Sequence, residues 1–208
     1  MVETNGRLDM SELPIGATAV GIVFDSGVVL AAEKRIAYGF TLMSKAGKKV
    51  FRITDRIGFA CAGLMADMQT IARIMAAEIK LYELESGHEM LVRSAAKLLS
   101  QILFSSSRQQ PYITEVIVGG VDRTGPHLFV LDPIGSLIED KYVALGSGAK
   151  IAIGILESNY KEGIDEKSAR DLAILSVKTA ISRDTISGDG IDLLLITTKG
   201  TETEFIPV

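Results

Sequence analysis

The order in which two hydrophobic patterns follow each other along the chain limits its fold more than any other feature. Short apolar runs with strand character come first, and a helical period then takes over before both patterns appear again. The resulting order is strands, two helices, strands, two helices and a strand. Tight turns such as Asp25-Ser26-Gly27 join successive strands, and helical crossovers between strands are not predicted. Sheets connected in this way are largely antiparallel.

The same patterns predict the individual elements. The left-handed preference of Gly87 ends the first helix, and Asp165 is a suitable N-cap for the last one. Strands are predicted over residues 18–24, 28–33, 49–54, 57–63, 115–121, 128–132, 136–145 and 191–197, and helices over 68–86, 91–103, 149–160 and 166–184.

Two sheets packed between two layers of helices would bury both faces of each sheet and one face of each helix. The predicted fold class is therefore α+β, a four-layer α-β-β-α sandwich of two mainly antiparallel sheets. Residues 17–208 are interpreted as a single domain. Residues 1–16 show little periodicity, and we interpret them as a propeptide-like segment that is expected to be flexible.

Composition excludes several classes of function. The chain has 208 residues and a net charge of −4, without the basic stripe of a nucleic-acid-binding protein. No apolar run approaches the roughly 20 residues that span a bilayer. The single cysteine cannot form an internal disulfide, which fits a reducing cytoplasm, and the two histidines lack the spacing of metal ligands. We expect no metal, no organic cofactor, no nucleic acid and no membrane contact.

Five stretches carry a more specific signal when they are taken in order. Together they resemble the β-type subunit of the archaeal proteasome core particle, a family of N-terminal-nucleophile hydrolases with a four-layer α-β-β-α fold. The stretches are TAVGIVFDSGVVLAAEKR, SKAGKKVFRI, GFACAGLMADMQ, YVALGSGAKIAIGILES and SRDTISGDGIDL, and the resemblance covers residues 17–200.

The resemblance implies a set of catalytic residues. In the family, self-cleavage after a glycine exposes an N-terminal threonine, whose hydroxyl attacks the peptide carbonyl while its α-amino group takes part in proton transfer. Glu33 and Lys49 match the acid and the lysine beside this threonine, and the lysine lowers the pKa of the nucleophile. The residues that orient the amine and the hydroxyl match Ser147, Asp184 and Ser187.

Three further positions match the substrate site of the family. Gly63 matches the residue whose backbone N–H stabilises the oxyanion, and Ala37 stands where the family has a small hydroxyl residue that pairs with the substrate backbone. Cys61 matches a residue that lines the pocket for the side chain before the scissile bond. Taken singly, Cys61 is a small buried hydrophobe and Lys49 is a solvated charge. Only the ordered set favours a functional role.

The nucleophile is the position at which the chain departs from the family. Mature chains typically begin Thr-Thr-Thr-Val-Gly, and aligning the Val-Gly of residues 20–21 puts Ala17 at the nucleophile and Gly16 before it. The rival register starts at Thr18 and needs one deleted residue. Thr18 shares strand parity with Val20, so its hydroxyl is expected on the opposite face from the Ala17 side chain unless a bulge intervenes.

The resemblance predicts a cytoplasmic subunit that assembles with α-type and other β-type subunits into stacked seven-membered rings. A regulatory ATPase would feed unfolded polypeptides through the α rings. Because alanine has no hydroxyl, we expect this copy to be non-catalytic, with Ala17 in the vacant nucleophile position. Two alternatives remain at this point: an active threonine endopeptidase that uses Thr18 after propeptide removal, and an N-terminal-nucleophile amidase that acts on small molecules.

Overall fold

The computed structural model of this protein describes residues 16–38 and 41–208. The expectations for segment 1–16 concern residues outside that part, apart from Gly16. Twelve strands and four helices lie within the described residues. The strands are β1 Ala19–Phe24, β2 Gly27–Glu33, β3 Ile36–Tyr38, β4 Thr41–Ser44, β5 Val50–Arg52, β6 Ile57–Gly63, β7 Thr114–Asp122, β8 Gly125–Leu131, β9 Leu137–Glu139, β10 Tyr142–Leu145, β11 Ile191–Thr197 and β12 Gly200–Ile206, and the helices are α1 Met65–Ser86, α2 Val92–Ser107, α3 Ala149–Asn159 and α4 Glu166–Ile181.

The strands form two five-stranded sheets and one small hairpin. The first sheet has the order β10-β1-β2-β11-β12, the second has the order β5-β6-β7-β8-β9, and β3 pairs with β4. Neighbouring strands are antiparallel in every pair. This confirms the predicted antiparallel character, which follows from the short turns between successive strands.

Three apolar cores hold four layers together. The helices α1 and α2 cover the second sheet over a core that includes Phe59 and Leu99. The two sheets meet over a core that includes Leu30 and Ile117. The helices α3 and α4 cover the first sheet over a core that includes Val177. The α-β-β-α sandwich predicted from the order of the elements is confirmed, because each sheet buries both of its faces.

Side chains at the beginning of β1 and just before it alternate between two of the apolar cores. Ala17 and Ala19 belong to the core between the sheets, whereas Val20 and Ile22 belong to the core beneath α3 and α4. This alternation is the period-two geometry of extended chain. A side chain at position 18 therefore faces the helices, and a side chain at position 17 faces the opposite sheet.

The single strand predicted over residues 136–145 is wrong. The structure has two strands here, and they lie at the edges of different sheets, β9 beside β8 and β10 beside β1. Apolar residues occur on both sides of Asp140 and Lys141, so the hydrophobic pattern alone does not reveal that the chain crosses between sheets.

Sequence analysis missed the β3–β4 hairpin and strand β12. Both are largely exposed, and β12 carries the polar sequence GTETEFI at the edge of its sheet. An exposed edge strand needs no apolar alternation, so the signal used for the other strands is absent. The last helix also ends at Ile181, earlier than the predicted residue 184.

The N-cap of α4 gives a direct test of the local structure. The Asp165 side chain accepts a hydrogen bond from the backbone N–H of Ser168, as predicted from the sequence. We expect Asp165→Ala to lower the free energy of unfolding by about 1 kcal/mol, because that N–H loses its partner. Chemical denaturation measures the change, and Asp165→Asn is the control that keeps the acceptor. Equal losses in both variants would contradict the capping role.

Candidate active site

A buried ion pair forms the centre of the candidate site. The Lys49 ammonium, just before β5, donates a hydrogen bond to the Glu33 carboxylate at the end of β2. The exposed fractions of the two side chains are 2% and 0%, so water solvates neither charge. Lys49 Nζ also donates to the backbone carbonyl of Arg35 at 2.6 Å. These two acceptors fix the position of the ammonium.

The carboxylate of Glu33 is held by backbone groups as well. The N–H of Arg35 donates to Glu33 Oε2 at 2.6 Å, and the N–H of Gly188 donates to the same oxygen at 3.0 Å. Burial raises the pKa of Glu33, although Lys49 and these donors oppose the rise. Burial lowers the pKa of Lys49 against the opposing effect of Glu33. A lysine with a lowered pKa exchanges a proton near neutral pH more readily than a solvated one.

The backbone of Ala17 is bound to the two residues that precede α3. Its backbone N–H donates to Ser147 Oγ at 3.2 Å, and its carbonyl accepts from the N–H of Gly148 at 3.3 Å. The preceding residue, Gly16, lines the same pocket as Lys49. The Ala17 side chain is completely buried and offers no hydroxyl to this site.

A chain of hydrogen bonds runs from Ser147 to Thr18. The hydroxyls of Ser147 and Ser187 both donate to Asp184 Oδ2, at 2.5 and 2.7 Å. Thr18 Oγ1 lies 2.8 Å from Ser187 Oγ. A serine hydroxyl has one proton, and that of Ser187 points to the carboxylate. The Thr18 hydroxyl is therefore the donor to Ser187.

The side chain of Thr18 faces the helix layer. Its hydroxyl is buried against Ser187, which follows α4, and a Cβ atom added to Gly148 would lie only 2.0 Å from Thr18 Oγ1. The hydrogen-bond partners of Lys49 are instead Glu33 and Arg35. The structure thus brings together Glu33 and Lys49 in one group and Thr18, Ser187, Asp184 and Ser147 in another, with the Ala17 backbone bound to the second group.

Two pockets meet at Gly63. The first, which we call the Met65 pocket, has a volume of about 100 Å³ and is lined by Gly16, Arg35, Ile36, Ala37, Tyr38, Lys49, Gly63, Leu64, Met65 and Met68. The second, which we call the Glu115 pocket, has a volume of about 270 Å³ and is lined by Ala62, Gly63, Ile113, Thr114, Glu115, Pro133, Gly146 and Ser147.

The backbone at Gly63 admits only glycine. Its φ is +141°, and an added Cβ atom would lie 2.2 Å from the carbonyl oxygen of Ile113. The space that a side chain would need is filled by the backbone of Ile113 and Thr114, and Gly63 therefore lines both pockets with backbone atoms alone. The oxyanion role that the resemblance implies for Gly63 stays a prediction.

The structure separates two predicted residues of the substrate site. Ala37 lies in β3 and lines the Met65 pocket. Cys61 is not among the residues that line this pocket: it is fully buried in the core beneath α1 and α2. This burial confirms the prediction of a small buried hydrophobe, and the pocket-lining role that the resemblance implies for Cys61 stays a prediction. Burial raises the pKa of that thiol far above its usual value.

Sequence analysis missed two residues of the site. The Arg35 guanidinium binds Asp189 at 2.8 Å and the carbonyl of Thr185 at 2.9 Å, which ties the end of β2 to the loop after α4. Glu115 accepts a hydrogen bond from the N–H of Gly146 at 3.1 Å. The available signal for Glu115 was an ionisable residue directly before the apolar run of residues 116–121.

Within the described residues, no group of three His, Cys, Asp or Glu side chains is arranged to hold a metal ion. No helix in that same part of the chain is long and apolar enough to cross a membrane.

Comparison with known proteins decides the family. The family model described as "Proteasome subunit" matches residues 14–196. This chain belongs to the proteasome subunit family. It is 55% identical over 197 residues to "Proteasome subunit beta 2" of Pyrobaculum arsenaticum, an alignment that covers 95% of this chain and 97% of the relative. The proteasome β-type resemblance seen in the sequence is thereby confirmed.

Two further relatives extend the match. "Proteasome subunit beta 2" of Thermofilum pendens is 55% identical over 199 residues, which is 96% of each chain. "Proteasome subunit beta 1" of Ignicoccus hospitalis is 54% identical over 181 residues, which is 87% of this chain and 90% of the relative. The relatives thus include proteasome β subunits whose names carry the number 1 and others whose names carry the number 2.

The ion pair of this proteasome subunit predicts a large effect on stability. We expect Lys49→Met to lower the free energy of unfolding by about 3–5 kcal/mol, because the Glu33 carboxylate stays buried without a counter-charge. Chemical denaturation at neutral pH measures the loss. The double variant Lys49→Met/Glu33→Gln removes both charges, keeps an acceptor for the N–H groups of Arg35 and Gly188, and is expected to recover most of it. A double variant as unstable as the single one would contradict this account.

Proposed function

We propose that this chain is a β-type subunit of the proteasome core particle that forms part of the proteolytic chamber without cutting peptide bonds itself. The observation that carries the proposal is the methyl side chain of Ala17. Ser147, which matches a residue that the family uses to orient the reacting groups, binds the backbone at this position, yet the position has no hydroxyl to activate. Without a nucleophile, the chain also has no means to cleave after Gly16 and is expected to keep residues 1–16.

The geometry of Thr18 gives less support to the alternative of an active subunit. Its hydroxyl donates to Ser187 on the helix side of the first sheet. To act as the nucleophile it would have to leave that acceptor and rotate toward Lys49 across the plane of the sheet. A one-residue shift of register would achieve this, but it would also exchange the buried faces of Ala19 and Val20.

The proposed assembly follows the family. The chain would stack in seven-membered rings with α-type subunits and other β-type subunits, in the cytoplasm, with unfolded polypeptides supplied by a regulatory ATPase through the α rings. Relatives whose names carry the numbers 1 and 2 support a β ring with more than one kind of chain. In such a ring, cleavage belongs to the partner β subunits that carry the threonine.

Restoring the hydroxyl tests the proposal most directly. We expect Ala17→Thr to cleave itself after Gly16, to lose residues 1–16 and to be labelled by a threonine-directed electrophile such as an epoxyketone. The unchanged chain is expected to keep its full mass and to remain unlabelled. Intact-mass spectrometry of the purified assembly measures both. Ala17→Val is the matched control, since valine has the shape of threonine without the hydroxyl.

An unchanged chain that begins at Thr18 and carries the label would refute the proposal. If Ala17→Thr is neither processed nor labelled although it folds, the surrounding residues are not a working catalytic shell, and the vacant-nucleophile interpretation fails.

Removal of the Thr18 hydroxyl distinguishes the register that puts the nucleophile position at Ala17 from the one that puts it at Thr18. In Thr18→Val, the Ser187 hydroxyl loses its donor, so we expect a loss of about 1 kcal/mol in the free energy of unfolding. We expect no change in peptide hydrolysis by the assembled particle. Fluorogenic peptide turnover and denaturation are measured on the same samples. A loss of turnover that exceeds the share of unfolded protein would favour the active subunit.

A further inference from the structure

We propose that the Met65 and Glu115 pockets form one groove that holds an extended polypeptide segment uncut, and that Glu115 selects a lysine or arginine side chain in that segment. This inference rests on the proposed function and names the class of ligand for the same site. It goes beyond catalysis, because it concerns what a chamber wall without a nucleophile binds.

The two pockets are neighbours because they share one lining residue. Gly63 lines both of them with backbone atoms alone. Beside the Met65 pocket, β3 has β4 as its only neighbour within the described residues, so its second edge offers backbone N–H and C=O groups. An extended segment can add to such an edge, and pockets for its side chains then set the sequence preference.

Charge distinguishes the second pocket from the first. Glu115 is the one ionisable residue among those that line the Glu115 pocket. Its carboxylate accepts from the N–H of Gly146, and none of the ion pairs in the described part of the chain includes it. The Asp184 carboxylate lies directly behind the lining residue Ser147 and adds a second negative charge. A cationic side chain is the complement of this surface.

The first pocket suits an apolar group better than a cation. Leu64, Met65 and Met68 form an apolar wall, and the two cations at its polar end, Lys49 and Arg35, are already paired with Glu33 and Asp189. A lysine of the ligand would find no carboxylate among the lining residues, whereas a leucine would bury its side chain against the methionines. The pocket volumes are consistent with this assignment, because the Glu115 pocket of about 270 Å³ has room for a larger side chain than the Met65 pocket of about 100 Å³. The preferred ligand therefore combines an apolar residue with an adjacent basic one.

Fluorescence anisotropy with three end-capped, fluorescein-labelled peptides tests the preference. Each has a central leucine flanked by two lysines, two glutamines or two glutamates within an otherwise neutral Ser/Ala sequence, so the direction of binding does not matter. We expect the full chain to bind the lysine peptide about fivefold more tightly than the glutamine peptide, and the glutamate peptide more weakly still. The preference should shrink as salt is raised.

Two variants assign the preference to Glu115. Glu115→Gln keeps an acceptor for Gly146 and should bind the lysine and glutamine peptides equally, and Glu115→Lys should prefer the glutamate peptide. Glu202→Gln, on the exposed strand β12, removes the same charge elsewhere and should leave the preference intact. If Glu202→Gln reduces the preference as much as Glu115→Gln, the effect is one of net charge and the proposal is overturned. Absence of binding to all three peptides overturns it as well.

Whether the peptide is recovered intact or cleaved tests the proposed function separately from this inference. Mass spectrometry after incubation is expected to find each peptide intact. Cleaved peptide combined with a Glu115-dependent preference would refute the non-catalytic role while leaving the selectivity in place. Intact peptide without any preference would refute the selectivity alone.

Discussion

The hydrogen-bonded ion pair of Lys49 and Glu33 is the interaction on which the site end of the molecule depends. Its members come from the end of β2 and the approach to β5, and its remaining partners come from the entry to β3 and the loop after α4. Four segments from both sheets thus share one buried network. Because breaking such a pair leaves an uncompensated charge, the network constrains the backbone whether or not a nucleophile is present.

This constraint gives the residues matched to the catalytic set a structural role that does not depend on the side chain at position 17. Each charged group of the site has a structural partner: Glu33 binds the N–H groups of Arg35 and Gly188, and Asp184 binds the hydroxyls of Ser147 and Ser187. Loss of Glu33 would remove the acceptor of the buried Gly188 N–H, and loss of Asp184 would remove the acceptor of the buried Ser187 hydroxyl, and both changes cost stability. A hydroxyl at position 17 is not needed for the local hydrogen bonds, because the backbone of Ala17 makes those to Ser147 and Gly148.

The sequence was sufficient to predict the fold class, the four layers and most elements, because buried strands and amphipathic helices have recognisable hydrophobic patterns in the sequence. It failed where burial is low or where the chain changes sheets, at the β3–β4 hairpin, at β12 and at residues 136–145. For the site, the ordered motifs singled out Glu33, Lys49 and Ser147, whose catalytic roles stay predictions, but not Arg35 or Glu115, whose contacts are with distant segments. The burial of Cys61 was predictable from its residue type, whereas its match to a pocket-lining residue stays a prediction.

The side chains at positions 17 and 18 point to opposite faces of the first sheet, because successive side chains alternate along an extended chain. A hydroxyl displaced by one residue is not a nucleophile in a slightly different place, because it lies in another layer and belongs to another hydrogen-bond network. The surfaces proposed to bind a peptide are independent of this difference: they consist of the edge of β3, the backbone at Gly63 and the two pockets that it lines. Catalysis requires a group that interacts with the transition state, whereas binding an extended chain does not. The proposed loss of cutting therefore leaves the capacity to hold polypeptide in place, and the charge at Glu115 gives that capacity its selectivity.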